Sequence, residues 1–303
     1  MLSQAFKKEI FSIQHSGIRE EEPMSAHTSF HIGGPAELFF EPESAESFAK
    51  ILRLCKQESV PFYVIGAGSN LLVGDRGVRG VVLKMGAGLD FLECDDMSIT
   101  AGSGVQLSKL ANFAAKHGLS GLEFAGGIPG TVGGAVFMNA GAYGGEMKDV
   151  VVRTEYFDEN GEKKELTGDA HQFVYRGSAF SDGGKYILST QVTLVPKVEE
   201  EIRAVMKDLA MRRREKQPLD YPSAGSTFKR PEGYFAAKLI EDAGLKGLSV
   251  GGAKVSEKHA GFVINTGGAT AADVRALVEE IKKKVYAAFG VELSCEIKML
   301  GDF

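Results

Sequence analysis

The chain has 303 residues, 44% of them apolar and 25% charged, with a formal net charge of −5. That length favours about two domains, the composition excludes extensive disorder, and the acidic balance argues against a general nucleic-acid binder. No apolar run approaches the ~20 residues needed to span a bilayer, the N-terminal stretch lacks the apolar core of a secretory signal, and three cysteines (Cys55, Cys94, Cys295) without metal-ligand spacing suit a reducing cytoplasm.

In chain order, residues 3–14 read as a short amphipathic helix, with Ala5, Phe6, Ile10 and Ile13 on one side. The acidic run Glu20–Pro23 reads as a linker, and Thr28–Ile32 and Ala36–Glu41 as a β-like block interrupted by Gly33-Gly34-Pro35. Pro42-Glu43-Ser44 opens a helix to about Gln57, and Pro61–Ile65 and Val81–Lys84 are compact strands. Residues 89–101 alternate as two strands around Asp95-Asp96, and Gln106–His117 is a helix ended by Gly118. After a glycine-rich segment come strands at Val150–Asp158, Lys164–Leu166 and Tyr186–Val195, the first two joined at Asn160-Gly161, a good hairpin signal.

Val198 to about Lys216 is helical and ends in the basic run Arg212-Arg213-Arg214. Beyond Pro218 and Pro222 the pattern predicts a helix over 236–243, strands near 250–265, a helix over 271–289 and a last strand over 293–300. Thr270 is the expected N-cap and Gly290 the expected C′ residue of the long helix. Strands and helices mix without regular βαβ alternation, so the class is α+β.

Glycine is the abnormal number: 38 of 303 residues, nine of them between Gly121 and Gly145. Glycine is costly to order, so such a cluster needs a backbone reason, either positive φ angles or close approach of a ligand. Gly66-Ala67-Gly68-Ser69-Asn70-Leu71 follows a strand and invites a dinucleotide reading. Leu71 at the third-glycine position, and Gly74, Gly77 and Gly80 after it, disfavour a Rossmann unit, and an ordinary tight turn is the competing reading. Gly127-Ile128-Pro129-Gly130-Thr131, continuing to Gly133 and Gly134, offers many unencumbered amides able to cradle phosphates or a flat ring. Its alternative is a tightly packed turn of small residues. Two such loops suggest one extended ligand held at both ends.

Three further segments carry polar groups. Tyr175-Arg176 lies in a Tyr-Arg-x-Ser-x-Phe stretch, and taken alone Arg176 is a surface charge. The loop Ser223–Pro231 holds Ser226, Lys229 and Arg230, a small cationic composition suited to an anion but common among loops. Strand alternation over 293–298 puts Cys295 opposite Glu296, the cysteine toward the core and the glutamate toward solvent.

As an ordered set, these segments resemble the UDP-N-acetylenolpyruvoylglucosamine reductase family over nearly the whole chain. The motifs are Thr28-Ser29-Phe30, Gly66–Leu72, Gly127–Gly134, Tyr175-Arg176-x-Ser178-x-Phe180, Ala224-Gly225-Ser226-x-Phe228-Lys229, Lys258-His259-Ala260-x-Phe262 and Glu296-Ile297-x-x-Leu300-Gly301. The resemblance implies a two-subdomain FAD-binding module of the vanillyl-alcohol-oxidase type, with subdomains over 1–85 and 86–200. A C-terminal substrate-binding domain would cover 201–303, its last strand returning to the flavin site. The compact stretch from Arg176 to Ser226 is similar to the family's shorter type, which lacks an extra loop bearing a substrate-contacting tyrosine. Arg230 stands where some relatives have asparagine, and His31 reads as ordinary because the family holds its flavin noncovalently.

The same resemblance implies that NADPH reduces noncovalent FAD, which reduces the enol ether of UDP-GlcNAc-enolpyruvate to UDP-N-acetylmuramate. It implies Arg176, Ser226 and Glu296 as the catalytic set, with Ser226 the proton donor and Glu296 protonated or paired with a cation. It implies FAD contacts from Gly66, Ala67, Gly68, Ser69, Asn70, Leu71, Gly127, Ile128, Pro129, Gly130, Thr131, Gly133 and Gly134. Substrate contacts fall to Tyr175, Lys216, Lys229 and Arg230, and no metal, nucleic acid or membrane is expected. The alternatives are another FAD oxidoreductase of the superfamily, or a catalytically silent nucleotide-sugar binder.

Overall fold

Long-range packing in this chain joins segments far apart in sequence. The computed structural model describes residues 2–303 and divides by contacts into two units. The first comprises the chain up to Glu20, Leu38–Ala67 and Gly80–Arg213; the second comprises Glu21–Glu37, Gly68–Arg79 and Arg214–Phe303. Both units are discontinuous, so their limits are not those of consecutive segments.

In the first unit, helix α1 spans Gln4–Ile10, capped by the Ser3 hydroxyl, which accepts from the Phe6 amide. It ends before the sequence pattern does, burying Phe6 and Ile10. Helix α2 (Ala45–Gln57) starts at a reciprocal cap between Ser44 and Ser47 and buries Phe48, Ile51, Leu52 and Cys55. These side chains share a core with Leu38, Phe40, Val81, Leu83 and Phe157. A four-stranded sheet has the order 15–23, 35–42, 78–84, 62–65, the last two strands pairing in parallel.

A second core lies on a five-stranded antiparallel sheet with the order 163–167, 151–158, 185–193, 98–102, 92–95. Helices α3 (Leu107–Lys116) and α4 (Val132–Phe137) bury Leu110, Ala114, Val132 and Val136 in this core. Helix α5 (Glu199–Lys216) follows and buries only Ile202.

In the second unit, helices α6 (Ala236–Asp242) and α7 (Ala271–Phe289) pack with a three-stranded antiparallel sheet, 249–250, 253–255 and 263–265. Leu239, Ile240, Val255, Val274, Leu277 and Ile281 form its core together with Phe30, Leu72 and Phe228. Lys298–Leu300 pairs in parallel with Leu71–Val73, seating the end of the chain beside its first third. Helix α7 begins at Thr270 and ends at Gly290 (φ +68), as the sequence indicates.

Four expectations differ. Residues 15–23 are a strand at a sheet edge, and its mostly exposed, acidic face hides it from an apolar pattern. Thr28–Ile32 forms a turn: the Thr28 hydroxyl donates to the Ile32 carbonyl at 3.0 Å, and His31 has φ +55. Its apolar residues mark burial of Phe30 and Ile32 instead of a strand. Gly133 and Gly134 lie inside α4 despite their poor helix propensity, because packing of Val132 and Val136 outweighs it. Over 293–300 only Lys298–Leu300 is a strand; Cys295 makes a single bridge with Phe228.

Helix α7 has a second cap from far away in sequence. The Asp75 carboxylate accepts from the Ala271 amide at 2.7 Å and the Ala272 amide at 2.9 Å. Both are first-turn donors that the helix itself leaves without partners. Asp75→Ala is expected to destabilise the second unit by about 1 kcal/mol, with faster hydrogen exchange at Ala271 and Ala272. Exchange at wild-type rates would show that the cap contributes nothing.

Candidate active site

The two glycine-rich segments meet. The chain leaves the strand 62–65 at the buried Ile65, whose carbonyl accepts from the Met85 amide at 2.8 Å. The next residue, Gly66, lies so close to Thr131 that an added Cβ would stand 2.4 Å from Oγ1. At Gly68 (φ +63) a Cβ would stand 2.0 Å from the His27 carbonyl oxygen. Gly133 packs on Ser103, its virtual Cβ 2.9 Å from the serine Cβ. These three glycines answer to close approach of protein to protein. Ala67 and Ser69 are half-buried beside them.

Gly130 (φ +139) has a conformational reason of its own, and the backbone around it keeps donors that the chain does not use. Leu107 donates to the Gly130 carbonyl at 2.9 Å and Val132 to the Val105 carbonyl at 2.8 Å, and these two bonds straddle Thr131. The Thr131 amide therefore faces away from that bridge, and among the described residues neither it nor the Gly130 amide has an acceptor. Gly127, Pro129 and Gly134 are exposed, and Ile128 packs against the core beneath them. Unspent amides on a segment stripped of side chains fit the oxygens of a diphosphate or the polar edge of a flat ring. The segment thus suits a flavin dinucleotide.

Arg213 borders the same segment. A Cβ on Gly127 would lie 3.3 Å from Arg213 Cδ and 3.7 Å from Nη1. Burial pushes the pKa of this guanidinium down. A half-buried cation beside unspent amides is a second anion-favouring group. In the sequence it is one of three consecutive arginines in a helix-ending basic run; burial and contact with Gly127 distinguish it from the exposed Arg212 and Arg214.

Tyr175 and Arg176 occupy the tip of a tight turn. Val174 and Gly177 exchange backbone bonds at 3.0 and 3.2 Å. Arg176 has φ +58, a left-handed conformation that costs a residue with a side chain about 1–2 kcal/mol. Its guanidinium carbon lies 4.9 Å from the Tyr175 ring centroid. Ala179 behind the turn donates to the His171 carbonyl at 2.8 Å. The buried His171 ring is bonded at both nitrogens, to the Gly168 carbonyl and Thr154 Oγ1, each at 2.9 Å. Burial pushes its pKa down, so it is neutral at pH 7.

In the second unit Thr227 is the anchor. It is fully buried; its amide donates to the Gly261 carbonyl at 2.8 Å, and its hydroxyl accepts from the Val263 amide at 2.9 Å. Its carbonyl accepts from the Glu296 amide at 2.8 Å and from Cys295 Sγ at 3.4 Å. Ser226 and Glu296 are therefore held on adjoining backbone. The Ser226 side chain is exposed and makes no hydrogen bond among the described residues. Glu296 is half-buried, and its carbonyl accepts from Asn70 Nδ2 at 3.2 Å, placing the 68–71 stretch of the same unit beside it. Leu71 continues into the strand paired with 298–300. Burial raises the Cys295 thiol pKa, which keeps it protonated and unreactive.

Lys229 donates its amide to the Ser294 carbonyl at 2.8 Å. Arg230 stacks 3.9 Å from the Phe235 ring centroid, and Lys216 is exposed at the end of α5. Ser226, Lys229 and Glu296 thus share one backbone frame in the second unit, whereas Arg176 and most of the glycine segments belong to the first. Among the described residues no three His, Cys, Asp or Glu side chains form a metal-binding group, and no helix is long and apolar enough to cross a membrane.

Comparison with known proteins agrees with this geometry. The family model for an FAD binding domain matches residues 36–167. That for the UDP-N-acetylenolpyruvoylglucosamine reductase C-terminal domain matches residues 217–300. The reductase of Agathobacter rectalis is 50% identical over the full length of both chains. The reductase of Caldanaerobacter subterraneus subsp. tengcongensis is 53% identical over 93% of each. The crystal structure of the Thermus caldophilus reductase superposes with a TM-score of 0.81 at 34% identity, covering 94% of this chain and all of that one. An alkyldihydroxyacetonephosphate synthase shares the fold alone, with a TM-score of 0.52 at 17% identity over 65% of this chain and 41% of its own. The amide-lined glycine segments, the match to an FAD binding domain and full-length identity near one half make this chain a member of the UDP-N-acetylenolpyruvoylglucosamine reductase family, an FAD-dependent oxidoreductase.

Proposed function

We propose that the chain uses NADPH and noncovalently held FAD to reduce the enol-ether double bond of UDP-GlcNAc-enolpyruvate. The product, UDP-N-acetylmuramate, is a peptidoglycan precursor. The observation that carries the reading is Ser226: a hydroxyl exposed and unspent, on backbone immobilised through Thr227, one hydrogen bond away from the backbone of Glu296.

When bound, FAD would supply hydride-transfer chemistry between NADPH and the substrate double bond. Negative charge then develops on the substrate carbon that bears the carboxylate, and on that carboxylate, and must be stabilised and quenched. The Arg176 guanidinium suits that carboxylate because its planar fork makes two charge-assisted hydrogen bonds. The Ser226 hydroxyl donates its proton to the carbon that bears the carboxylate, completing addition of hydride and proton across the double bond. Glu296 orients the carboxylate end or assists proton transfer. Lys216, Lys229 and Arg230 supply positive charge for the substrate diphosphate, and the Tyr175 ring lies beside the arginine. The amides of Gly130 and Thr131, with Gly127, Gly134 and Arg213 around them, hold the cofactor.

The two cores of the first unit support two flavin-binding subdomains centred on 1–85 and 86–200 ahead of a substrate domain centred on 201–303, with Phe157 and Leu188 joining the first core and residues 21–37 and 68–79 folding with the last domain. A nucleotide sugar and NADPH as reactants support a cytoplasmic place of action, from which precursor supply would bear on cell shape and division.

The glycines separate into two experimental groups. Gly134→Ala adds a Cβ with only an ordinary contact, 3.6 Å from Thr131 Oγ1, in an exposed helical position. It should leave thermal stability of the flavin-free protein unchanged or raised while lowering retained FAD. Gly68→Ala should cost folding itself. FAD content at the wild-type level in a well-folded Gly134→Ala protein would remove that position from the cradle.

Ser226→Ala should leave anaerobic flavin reduction by NADPH nearly intact and slow reoxidation by the enolpyruvate sugar roughly 100- to 10,000-fold, with Ser226→Cys recovering part. Stopped-flow absorbance of the two half-reactions decides it, and reoxidation at the wild-type rate excludes Ser226 as donor.

Arg176→Lys keeps the charge but loses the fork. Single-turnover reoxidation by the sugar should slow, and an unchanged rate would exclude direct contact with the carboxylate.

A further inference from the structure

Asn139 occupies the place that a helix usually gives to glycine. It follows the C-cap of α4, has φ +42, and is fully buried. Its amide donates to the Val136 carbonyl at 3.2 Å, and the Ala140 amide donates to the Ala135 carbonyl at 2.8 Å. These are the two bonds of a Schellman cap, whose left-handed residue is most often glycine. An asparagine here costs backbone ease, so its side chain must return something.

The side chain is wholly used. Oδ1 accepts from the Lys148 amide at 2.9 Å, and Nδ2 donates to Glu146 Oε2 at 3.0 Å and to the Val174 carbonyl at 3.1 Å. Val174 is the residue whose carbonyl closes the Arg176 turn. The far side of that turn returns to the same helix end: Ser178 Oγ donates to the Phe137 carbonyl at 2.9 Å, and Ser181 Oγ to the same oxygen at 3.3 Å. Phe137 is the last residue of α4, so its carbonyl has no helical donor of its own. The turn is thus fastened on both flanks to one end of α4. The other end of α4 begins at Thr131, in the segment with the unspent amides. Six residues of helix separate them, about 9 Å along the axis.

We propose that Asn139, seconded by Ser178, is a positioning residue that uses α4 as a spacer to fix the Arg176 guanidinium relative to the cofactor. This rests on the reading that Arg176 holds the substrate carboxylate. A left-handed arginine at the tip of an exposed turn will not keep that backbone by itself, because glycine is what the conformation prefers. The two side-chain bonds to α4 over-determine it. Glu146, held beside Asn139 and paired with Lys148 at 2.9 Å, adds a carboxylate on the Arg176 side of the cluster.

The position allows a test, because Asn139→Gly keeps the backbone cap while removing the bond to Val174 together with those to Lys148 and Glu146, and Ser178→Ala loosens the other flank of the turn without touching them. FAD content should stay near wild type, the melting temperature of the holoenzyme should fall by a few degrees for the lost buried bonds, and flavin reduction by NADPH should change by less than about threefold. Reoxidation by the enolpyruvate sugar should slow about 10- to 100-fold, the cost of displacing a catalytic group by about 1 Å. Ser178→Ala should show the same split more weakly. Asn139→Asp, which keeps Oδ1 and sets a carboxylate against Glu146 and the Val174 carbonyl, should be slower than Asn139→Gly. Arg176→Ala is the reference: adding Asn139→Gly to it should slow reoxidation no further. Wild-type reoxidation in Asn139→Gly, alongside slow reoxidation in Arg176→Ala, overturns the tether. Wild-type reoxidation in Arg176→Ala overturns the reading of the arginine itself. Equal loss in both half-reactions, or loss of FAD in both Asn139→Gly and Ser178→Ala, makes the pair structural and also overturns the proposal.

Discussion

Gly66 has no side chain, and the Thr131 hydroxyl stands where one would be. The candidate cofactor site depends on that contact. It brings the turn after the strand 62–65 against the segment that opens α4, so two loops more than 60 residues apart in sequence form one surface. Thr131 serves both sides of the junction, since its hydroxyl also accepts from the Gly134 amide at 3.3 Å and starts the helix. Glycine plays two parts around it. At Gly66, Gly68 and Gly133 it lets protein approach protein, and at Gly134 a Cβ would meet only an ordinary contact, so the backbone there is left accessible. A catalogue of glycines does not distinguish these parts; the atom that a Cβ would meet does.

The second unit solves a different problem, holding an exposed hydroxyl still. Ser226 follows Gly225, which has φ +75, and precedes a threonine whose amide, hydroxyl and carbonyl are all bonded to neighbouring segments. The loop is polar and exposed at its tip and strand-like in its bonding one residue later. The same threonine carbonyl receives the Glu296 amide, so the Ser226 hydroxyl and the Glu296 carboxyl group are carried on backbone fixed through one residue. Asp75 extends this frame by capping α7, and the parallel pairing of 298–300 with 71–73 closes it. Discontinuous units follow directly from such pairing, because residues 68–79 fold with the last 90 residues instead of with their sequence neighbours.

Backbone strain collects near the chemistry. Asn139, Tyr143 and Arg176 all have positive φ, and all lie on or beside the C-terminal end of α4. Each would be easier as glycine, and each carries a side chain that glycine lacks. Conformations of this kind persist only where surrounding bonds over-determine them, and here the Asn139 amide and the Ser178 hydroxyl provide those bonds.

Much was legible in the residues alone. Helices α2, α3, α5 and α7 announce themselves through 3.6-residue periodicity and through caps such as Ser44, Thr270 and Gly290, because these signals are local and each helix satisfies its own backbone. Class, family, cofactor and reaction could be read because the motifs recur in a fixed order. The edge strand 15–23 was not legible, since an exposed acidic strand has no apolar alternation, and neither was α4, whose glycines argue against a helix that tertiary packing imposes. Arg213, Thr227 and Asn139 were hidden for the same reason: nothing in their immediate sequence separates them from an ordinary basic run, loop hydroxyl or turn amide. Their importance lies in partners about 30 to 90 residues away — Gly127 for Arg213, Val263 and Glu296 for Thr227, Val174 for Asn139 — and only the folded chain brings those partners within hydrogen-bond or van der Waals reach.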